Sequence, residues 1–366
     1  MRIRLSVLVL LVFVSVSCSE KSLTENPTAP RSYNGTASVG DFLTITLNPA
    51  DHTLSYTNLS NGDSGTVSYA VNADGTYTLS DPAGNLVAAY EVPNYALIVQ
   101  AAKTGPSHDM PALITAVQKG SISVSTWAGR GFNYMQFRTS SGGLEVGTAT
   151  MDAQGSVSTS SYWPYGSMGQ GSGAFSQGGF DVSQFQQDAS GTFLKLADDN
   201  GGFDYVFGTP NGIFAVDTPN GAILGLKKAA SKDFDPTFAG TYSAIYYEKT
   251  GATTGMNNAE TGTPSLGKAT LNISATGQVT ILDAQGQTIV QTSLIPVADA
   301  PYLYGGQGLL QSPCYGLFTF RVTTASSQRD VFVTFMDRAV LFASFRADLP
   351  WGSGNTYDYL YGVGLK

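Results

Sequence analysis

Short apolar or alternating runs, four to ten residues long, follow one another from about residue 33 to the end of the chain. Gly, Asn, Asp and Pro separate these runs, as they do in turns between strands. Apolar and polar residues alternate within many runs, which is typical of strands because successive side chains point to opposite faces. The pattern therefore predicts an all-β protein whose antiparallel hairpins and meanders form barrel- or sandwich-like domains.

One hairpin pattern occurs three times, with a glycine at its start and another at its turn. These glycine pairs are Gly65 and Gly75, Gly147 and Gly155, and Gly267 and Gly277. Their spacings of 10, 8 and 10 residues differ by an even number, so equivalent side chains keep the same face. We expect the following residues to point inward: Val67, Tyr69, Tyr77, Ala149, Met151, Val157, Ala269, Leu271 and Val279.

The turn tetrads of these hairpins begin with Asn72, Asp152 or Ser274, and a further tetrad of the same form runs from Asp283 to Gly286. Asn, Asp and Ser favour the first position of a type I turn, and the glycine that follows accepts a positive φ. Each tetrad offers at most one carboxylate. We therefore interpret them as turns rather than as calcium loops.

Apolar strands downstream of each hairpin extend the repeat into three related β units, at 34–128, 129–232 and 233–366. The later strands of each unit are almost entirely apolar, which is typical of strands covered on both faces. The best-marked boundary is Asp233–Pro236, which follows a cluster of lysines that includes Lys227 and Lys228. The pattern leaves open whether the units form separate barrels, one fused sandwich or blades.

The N-terminal segment carries Arg2 and Arg4, then the apolar run Leu5–Val14, then small residues before Cys18. An apolar run of about ten residues is too short to span a bilayer and is typical of a signal peptide. This segment resembles the signal of bacterial lipoproteins. The resemblance implies that residues 1–17 are removed and that Cys18 is the lipid attachment site.

Ordinary secretion remains the alternative for this segment. Ser15 replaces the aliphatic residue that lipoprotein signals carry there, and Ser15 with Ser17 also fits an ordinary signal peptidase. Residues 18–33 are polar and contain two prolines, which predicts a flexible tether. By resemblance to the enterobacterial sorting rule, Ser19 in place of Asp implies the outer membrane. We expect a lipid-anchored protein of the cell envelope.

Charge and composition exclude several classes of partner and cofactor. The formal net charge is −8, and such a surface is repelled by phosphate backbones, so we expect no nucleic-acid partner. Glycine is abundant, at 42 residues, and only 13% of residues are charged, which suits a β protein and not a coiled coil. With two Cys and two His, we predict neither a disulfide scaffold nor a metal site, and no cofactor.

Several partial motifs are interpreted as loops or turns, so no catalytic residue is predicted. Gly262–Lys268 approaches a phosphate loop, but Ala269 stands where Ser or Thr would hold magnesium, and no helix follows. Ser64 sits in a Gly-Asp-Ser-Gly segment without the motif of a catalytic His before it. His108 has one carboxylate beside it, too few ligands for zinc. The oxygen-rich stretch Asp198–Asp204 favours a hairpin turn over a weak cation site.

The segment 159–180 is the most suggestive candidate for binding, because it is long, rich in Gly and Ser, and aromatic. Long loops of this kind are often functional, and exposed rings stack on sugars and apolar ligands. The alternative is a flap whose aromatic residues close one end of a barrel. The candidate ligand-binding residues are Tyr162, Trp163, Tyr165, Phe175 and Phe180.

These observations favour a non-catalytic β-rich lipoprotein of the cell envelope, acting as a binding or structural module for a glycan or an envelope protein. A first alternative is an envelope hydrolase with dispersed carboxylates, which requires a cleft where two acids converge. A second alternative is an integral outer-membrane β-barrel. It is suggested by the alternating C-terminal residues Tyr357, Tyr359, Tyr361, Val363 and Leu365.

Overall fold

The computed structural model describes residues 28–80, 84–102, 111–138, 144–163, 176–198, 201–210, 212–219, 221–253, 263–300, 314–324, 327–346 and 356–366. These residues contain 26 strands and four short 3-10 helices, at Val124–Trp127, Val182–Gln184, Pro236–Phe238 and Val297–Asp299. No α-helix occurs among them, which confirms the predicted all-β class. None of the helices in these ranges is long and apolar enough to cross a membrane.

The first eight strands form a closed antiparallel barrel in which β1 pairs with both β2 and β8. The strands are β1 Arg31–Ala37, β2 Phe42–Asn48, β3 Thr53–Asn58, β4 Ser64–Val71, β5 Tyr77–Ser80, β6 Leu86–Val92, β7 Ala96–Ala101 and β8 Ala112–Gln118. The predicted tether is too long at its C-terminal end, because Arg31 and Tyr33 already belong to β1. Both side chains bind Glu91, which ties them to the barrel.

The next nine strands form a second antiparallel sheet whose first strand, β9, pairs with its last, β17. The strands are β9 Gly131–Arg138, β10 Leu144–Met151, β11 Ser156–Trp163, β12 Ser176–Asp181, β13 Gln186–Gln187, β14 Leu194–Ala197, β15 Phe203–Gly208, β16 Ile213–Thr218 and β17 Gly221–Lys227. The edges of the sheet are β12 and β13, which adjoin in sequence. The sheet is therefore a meander that returns to its own first strand.

The last nine strands repeat this arrangement in a third sheet, where the first strand, β18, pairs with the last, β26. The strands are β18 Gly240–Thr253, β19 Thr263–Ile273, β20 Gln278–Leu282, β21 Thr288–Ser293, β22 Ile295–Pro296, β23 Leu317–Thr323, β24 Gln328–Met336, β25 Ala339–Arg346 and β26 Thr356–Leu365. In all three sheets the chain meanders and the first strand pairs with the last, and the first sheet closes into a barrel. The predicted domain limits stay a prediction, because a hydrogen-bonded sheet does not by itself define an independently folding domain.

All three predicted hairpins are present, as β4–β5, β10–β11 and β19–β20. The turn glycines Gly75, Gly155, Gly277 and Gly286 all have positive φ, between 75° and 99°. In each turn the glycine N–H donates to the carbonyl of the residue that opens the tetrad. Turn chemistry readable from four residues therefore fixes the register of these hairpins.

The residues predicted to point inward are buried or half-buried. Met151, Leu271 and Val279 are at most 2% exposed, and Val67 and Tyr77 pack as partly buried residues in the first barrel. The opposite faces of the later strands are buried too, because the three sheets pack on one another in a shared core. In that core, Phe42 of β2 stacks on Tyr205 of β15, with ring centroids 4.4 Å apart.

The structure corrects two predictions, one about the C-terminal strand and one about the loop at 159–180. Tyr359, Tyr361, Val363 and Leu365 are at most 4% exposed, and Tyr361 stacks on Phe137 of β9. Their alternation therefore reflects burial between sheets rather than contact with lipid. The 159–180 segment is strand at both ends, because β11 and β12 pair from Ser156 opposite Asp181 to Ser161 opposite Ser176.

Candidate ligand-binding cleft

An open cleft of about 640 Å³ lies at one end of the second sheet. Its described lining is Gly129, Arg130, Gly131, Thr150, Pro210, Lys227 and Lys228. The volume falls within the range of roughly 300–1,000 Å³ that is typical of small-ligand sites. Three of these seven residues are cationic and none is acidic.

The return of the sheet to its first strand assembles this cleft from distant parts of the chain. In the β9–β17 pair, Phe132 lies opposite Lys227, and the Lys228 N–H donates to the Gly131 carbonyl at 2.8 Å. Arg130 immediately precedes β9. Thr150 lies opposite Gly131 on β10, so the three neighbouring strands β10, β9 and β17 bring these residues together.

Neighbouring backbone constrains two of the cationic side chains, those of Arg130 and Lys228. The Arg130 guanidinium donates through Nη1 to the carbonyl oxygen of Pro210, in the β15–β16 turn. Gly131 has no side chain, and a Cβ there would lie 3.2 Å from Cδ of Lys228, so the lysine stem lies close over the glycine. Burial lowers the pKa of Lys228 from its usual value. The neighbouring Cys314 thiol does not neutralise this ammonium, since burial raises the thiol pKa to about 11.

A layer of aromatic residues lies next to the cleft inside the second sheet. Trp127 meets Phe214 edge to face, with centroids 5.2 Å apart, and its Nε1 donates to the Thr209 carbonyl at 3.2 Å. Phe214 also packs against Phe132 and stacks on Phe180 at 6.1 Å. Aromatic packing of this kind rigidifies a core. The residues of the cleft therefore lie on a well-packed part of the second sheet.

A second polar cluster, inside the first barrel, has the opposite character. Arg31 forms two hydrogen bonds of 2.6 Å to Glu91, whose side chain is fully buried. The hydroxyls of Tyr33 and Tyr77 donate to the same carboxylate at 2.5 and 2.7 Å. Burial and these hydrogen bonds to Glu91 raise the pKa of both tyrosines, so the phenols stay protonated as donors. The positive charge of Arg31 is therefore balanced by the carboxylate of Glu91 within the cluster.

A buried acid lies between the first barrel and the second sheet. Asp217 of β16 is 0% exposed and accepts a hydrogen bond from the Thr36 hydroxyl of β1, while its Oδ2 has no described partner. Desolvation raises the pKa of Asp217 well above the usual value, and the nearby Asp41 raises it further. Asp217 is a packed interface residue and does not line the cleft.

None of the predicted binding residues is part of the described lining of the cleft. Trp163 ends β11 near Val146, at the opposite end of the second sheet from Thr150. Phe180 packs into the aromatic layer and is half-buried. Tyr162 lies on β11, whereas Cys18, Tyr165 and Phe175 lie outside the described residues.

The described parts of the partial motifs lie in strands and turns, so the loop prediction is wrong for Ser64, and His108 lies outside the described residues. Ser64 begins β4, and Lys268 lies exposed within β19. The Gly202 N–H donates to Asp198 Oδ1 at 2.8 Å, as in a hairpin turn. Among the described residues, no group of three His, Cys, Asp or Glu side chains is placed to hold a metal ion.

The cleft was missed because its residues are adjacent only after the sheet returns to its first strand. Lys227 and Lys228 were visible as a lysine cluster at a unit boundary, but nothing near them in sequence points to Arg130. A usable signal existed in the repeat itself. If each unit is a meander whose first and last strands pair, residues just before the first strand meet residues at the end of the last.

Comparisons with known proteins do not assign a family. No protein-family model matches the chain, and no curated protein matches it in sequence. A double mutant of transferrin-binding protein B from Haemophilus parasuis Hp5 is similar at 7% identity and TM-score 0.27, covering 92% of this chain and 76% of that one. A single mutant of that protein gives 8% identity and TM-score 0.24, with the same coverage. At these scores the likeness supports no argument about function.

Proposed function

We propose that this protein is a lipid-anchored component of a bacterial cell envelope that binds a ligand at one end of its second sheet. The observation that carries the proposal is the open cleft of Arg130, Lys227 and Lys228 on a well-packed β support. Binding sites are concave, few in number and fixed by a small set of polar groups on a rigid scaffold. The cleft is concave, and its polar groups lie on a packed β scaffold.

The anchoring part of the proposal rests on the N-terminal sequence. Arg2 and Arg4, the apolar run Leu5–Val14 and Cys18 resemble a bacterial lipoprotein signal, and acylation gives the cysteine an evident role. A polar tether would then separate the membrane from β1, and Ser19 favours the outer membrane. The ligand would be met outside the cytoplasm.

Binding fits the cleft better than acid–base hydrolysis. Glycoside hydrolysis needs two positioned carboxylates, and the described lining of the cleft carries cations and neutral residues. Asp217 has a raised pKa, but it is packed against Thr36 between two sheets. Because Asp217 is 0% exposed, a substrate cannot contact it in this structure.

Metabolic labelling with a palmitate analogue in a bacterial host tests the anchor. We expect the full-length protein to be labelled and Cys18→Ser to be unlabelled, because the thiol carries the lipid. A Cys18→Ser variant lacking residues 2–17 should stay monodisperse without detergent. If that variant is obtained only in detergent, the integral-membrane alternative is correct and the anchored module is wrong.

Pull-down of envelope glycans and proteins tests where binding occurs. We compare the unmodified protein with a deletion of residues 165–174 and with an Arg130→Gln, Lys228→Gln double variant. We expect the double variant to lose the partners that the unmodified protein pulls down, and the deletion variant to keep them. Loss only in the deletion would move the binding function to the predicted aromatic loop.

A further inference from the structure

The cleft carries an unbalanced positive charge on a negatively charged protein. The chain has 19 Lys and Arg against 27 Asp and Glu. Nevertheless, Arg130, Lys227 and Lys228 gather where the described lining has no carboxylate. Within the described parts of the chain, none of the three forms an ion pair.

Two arginines of the third sheet are balanced by acids. Arg321 binds Asp330 at 2.6 Å, and Arg329 lies 3.4 Å from Glu248 and 3.0 Å from Asp358. The cleft differs from these two pairs because three cations line one concave surface whose described lining contains no acid. Three cations that line one cleft without a described acid give it a positive potential, which attracts anions.

We infer that the cleft binds a small oxyanion of the phosphate class, with at least two negative charges. This inference rests on the proposed function and names its ligand. Arg130 is oriented through its bond to Pro210, so its remaining N–H groups are available for the two-pronged contact that phosphate oxygens accept. Lys227 and Lys228 supply point charges, and the Thr150 hydroxyl can donate a further hydrogen bond.

The surroundings of the cleft favour a small ligand over a polyanion. A local cluster of cations is felt within a Debye length, about 8 Å at physiological ionic strength. A nucleic acid or a long acidic polymer would extend beyond that distance and meet a protein of net charge −8. A phosphate monoester, a pyrophosphate or a lipid phosphate headgroup would fit within the cleft. All three share the same chemistry.

Calorimetric titration of the protein with pyrophosphate at constant ionic strength tests this inference. Removing one charge-assisted contact should weaken binding about tenfold, both in Arg130→Gln and in Lys228→Gln. The matched control is Lys268→Gln, which makes the same charge change at an exposed position of β19. Its affinity should equal that of the unmodified protein. Thermal unfolding of each variant verifies that it is folded.

Vesicles distinguish a lipid headgroup from a free phosphate compound. The soluble Cys18→Ser variant lacking residues 2–17 is mixed with vesicles of phosphatidylglycerol in phosphatidylcholine. Binding that pyrophosphate displaces supports the inference and identifies a lipid source. Binding of pyrophosphate alone supports it with a free source. If neither binds, or if Lys268→Gln loses as much affinity as the cleft variants, the inference is overturned.

The failure of this inference is distinguishable from that of the proposed function. If a neutral glycan binds in the cleft and pyrophosphate does not, the oxyanion ligand is wrong and the binding module stands. If Cys18 is not acylated while pyrophosphate binds as expected, the anchor is wrong and the ligand class stands.

Discussion

The Arg31 cluster of the first barrel and the Arg130 cleft of the second sheet use the same residue type in opposite ways. Arg31 is enclosed, and its charge is met by Glu91 with help from two tyrosine hydroxyls. Arg130 lies at an open end of its sheet and donates to a single backbone carbonyl, that of Pro210. The charge of Arg31 is balanced within the protein, whereas the charge of Arg130 is available to a ligand.

The charges of the Arg31 cluster stabilise the fold, whereas those of the cleft serve binding. Buried ions are stable only when partners satisfy them, so the loss of one partner in the barrel should weaken folding. The cations of the cleft have no acid partner among the described residues, so the loss of one should change the free energy of unfolding little. Substitutions in the two regions should therefore affect different measurements.

The largest effect on stability is expected from Glu91→Ala. The substitution removes the carboxylate and leaves Arg31 enclosed without a counter-charge, along with two phenol donors without an acceptor. We expect a loss of about 3–5 kcal/mol in the free energy of unfolding, measured by urea denaturation.

A double variant controls this experiment. Arg31→Met with Glu91→Leu removes both charges and should recover a large part of the lost stability, because no unpaired ion remains. If Glu91→Ala unfolds at the same urea concentration as the unmodified protein, the cluster does not hold the barrel together.

A smaller effect of opposite sign is expected from Asp217→Asn, which tests a buried acid without a cation. The amide oxygen can still accept from Thr36, while the desolvated charge is removed. We expect the free energy of unfolding at pH 7 to increase by about 1–2 kcal/mol. A decrease would show that the charged carboxylate stabilises the interface.

The pH dependence of Asp217 follows from the direction of its pKa shift. The pKa is raised in the folded state, so folding favours the protonated form. Its contribution to stability is present at low pH and is lost as pH rises from the usual Asp value, about 3.9, through the raised folded-state value. Subtracting the Asp217→Asn curve from that of the unmodified protein should reveal this loss, whereas a flat difference would contradict it.

The smallest effect on stability is expected in the cleft. Arg130→Gln and Lys228→Gln should each change the free energy of unfolding by less than about 0.5 kcal/mol, since neither breaks an ion pair among the described residues. Chemical denaturation without added phosphate measures this. A loss comparable to that of Glu91→Ala would make the cleft cations structural and erase the contrast.

Much of the fold could be predicted because it depends on local information. The turn glycines at 75, 155 and 277 each follow Asn, Asp or Ser by three residues, and the even spacing fixes which face Met151 or Leu271 occupies. The continuous apolar character of the later strands also indicated cover on both faces. The structure shows that this cover comes from the other sheets.

The functional geometry could not be predicted because it depends on contacts distant in sequence. Arg130 and Lys228 come together through the β9–β17 pairing, and Tyr361 is buried where it stacks on Phe137 of the second sheet. Glu91 was identifiable in principle. It has the same strand parity as Ala89, which is fully buried, and a charged residue at such an inward position needs a partner.

Crystals grown with tungstate, a heavy analogue of phosphate, would show whether the cleft binds an oxyanion. We expect an anomalous-scattering peak in the cleft, within hydrogen-bonding distance of Arg130 and of a cleft lysine, that disappears in the Arg130→Gln, Lys228→Gln double variant. A cleft without such a peak, in a crystal that binds tungstate elsewhere on the molecule, would contradict it.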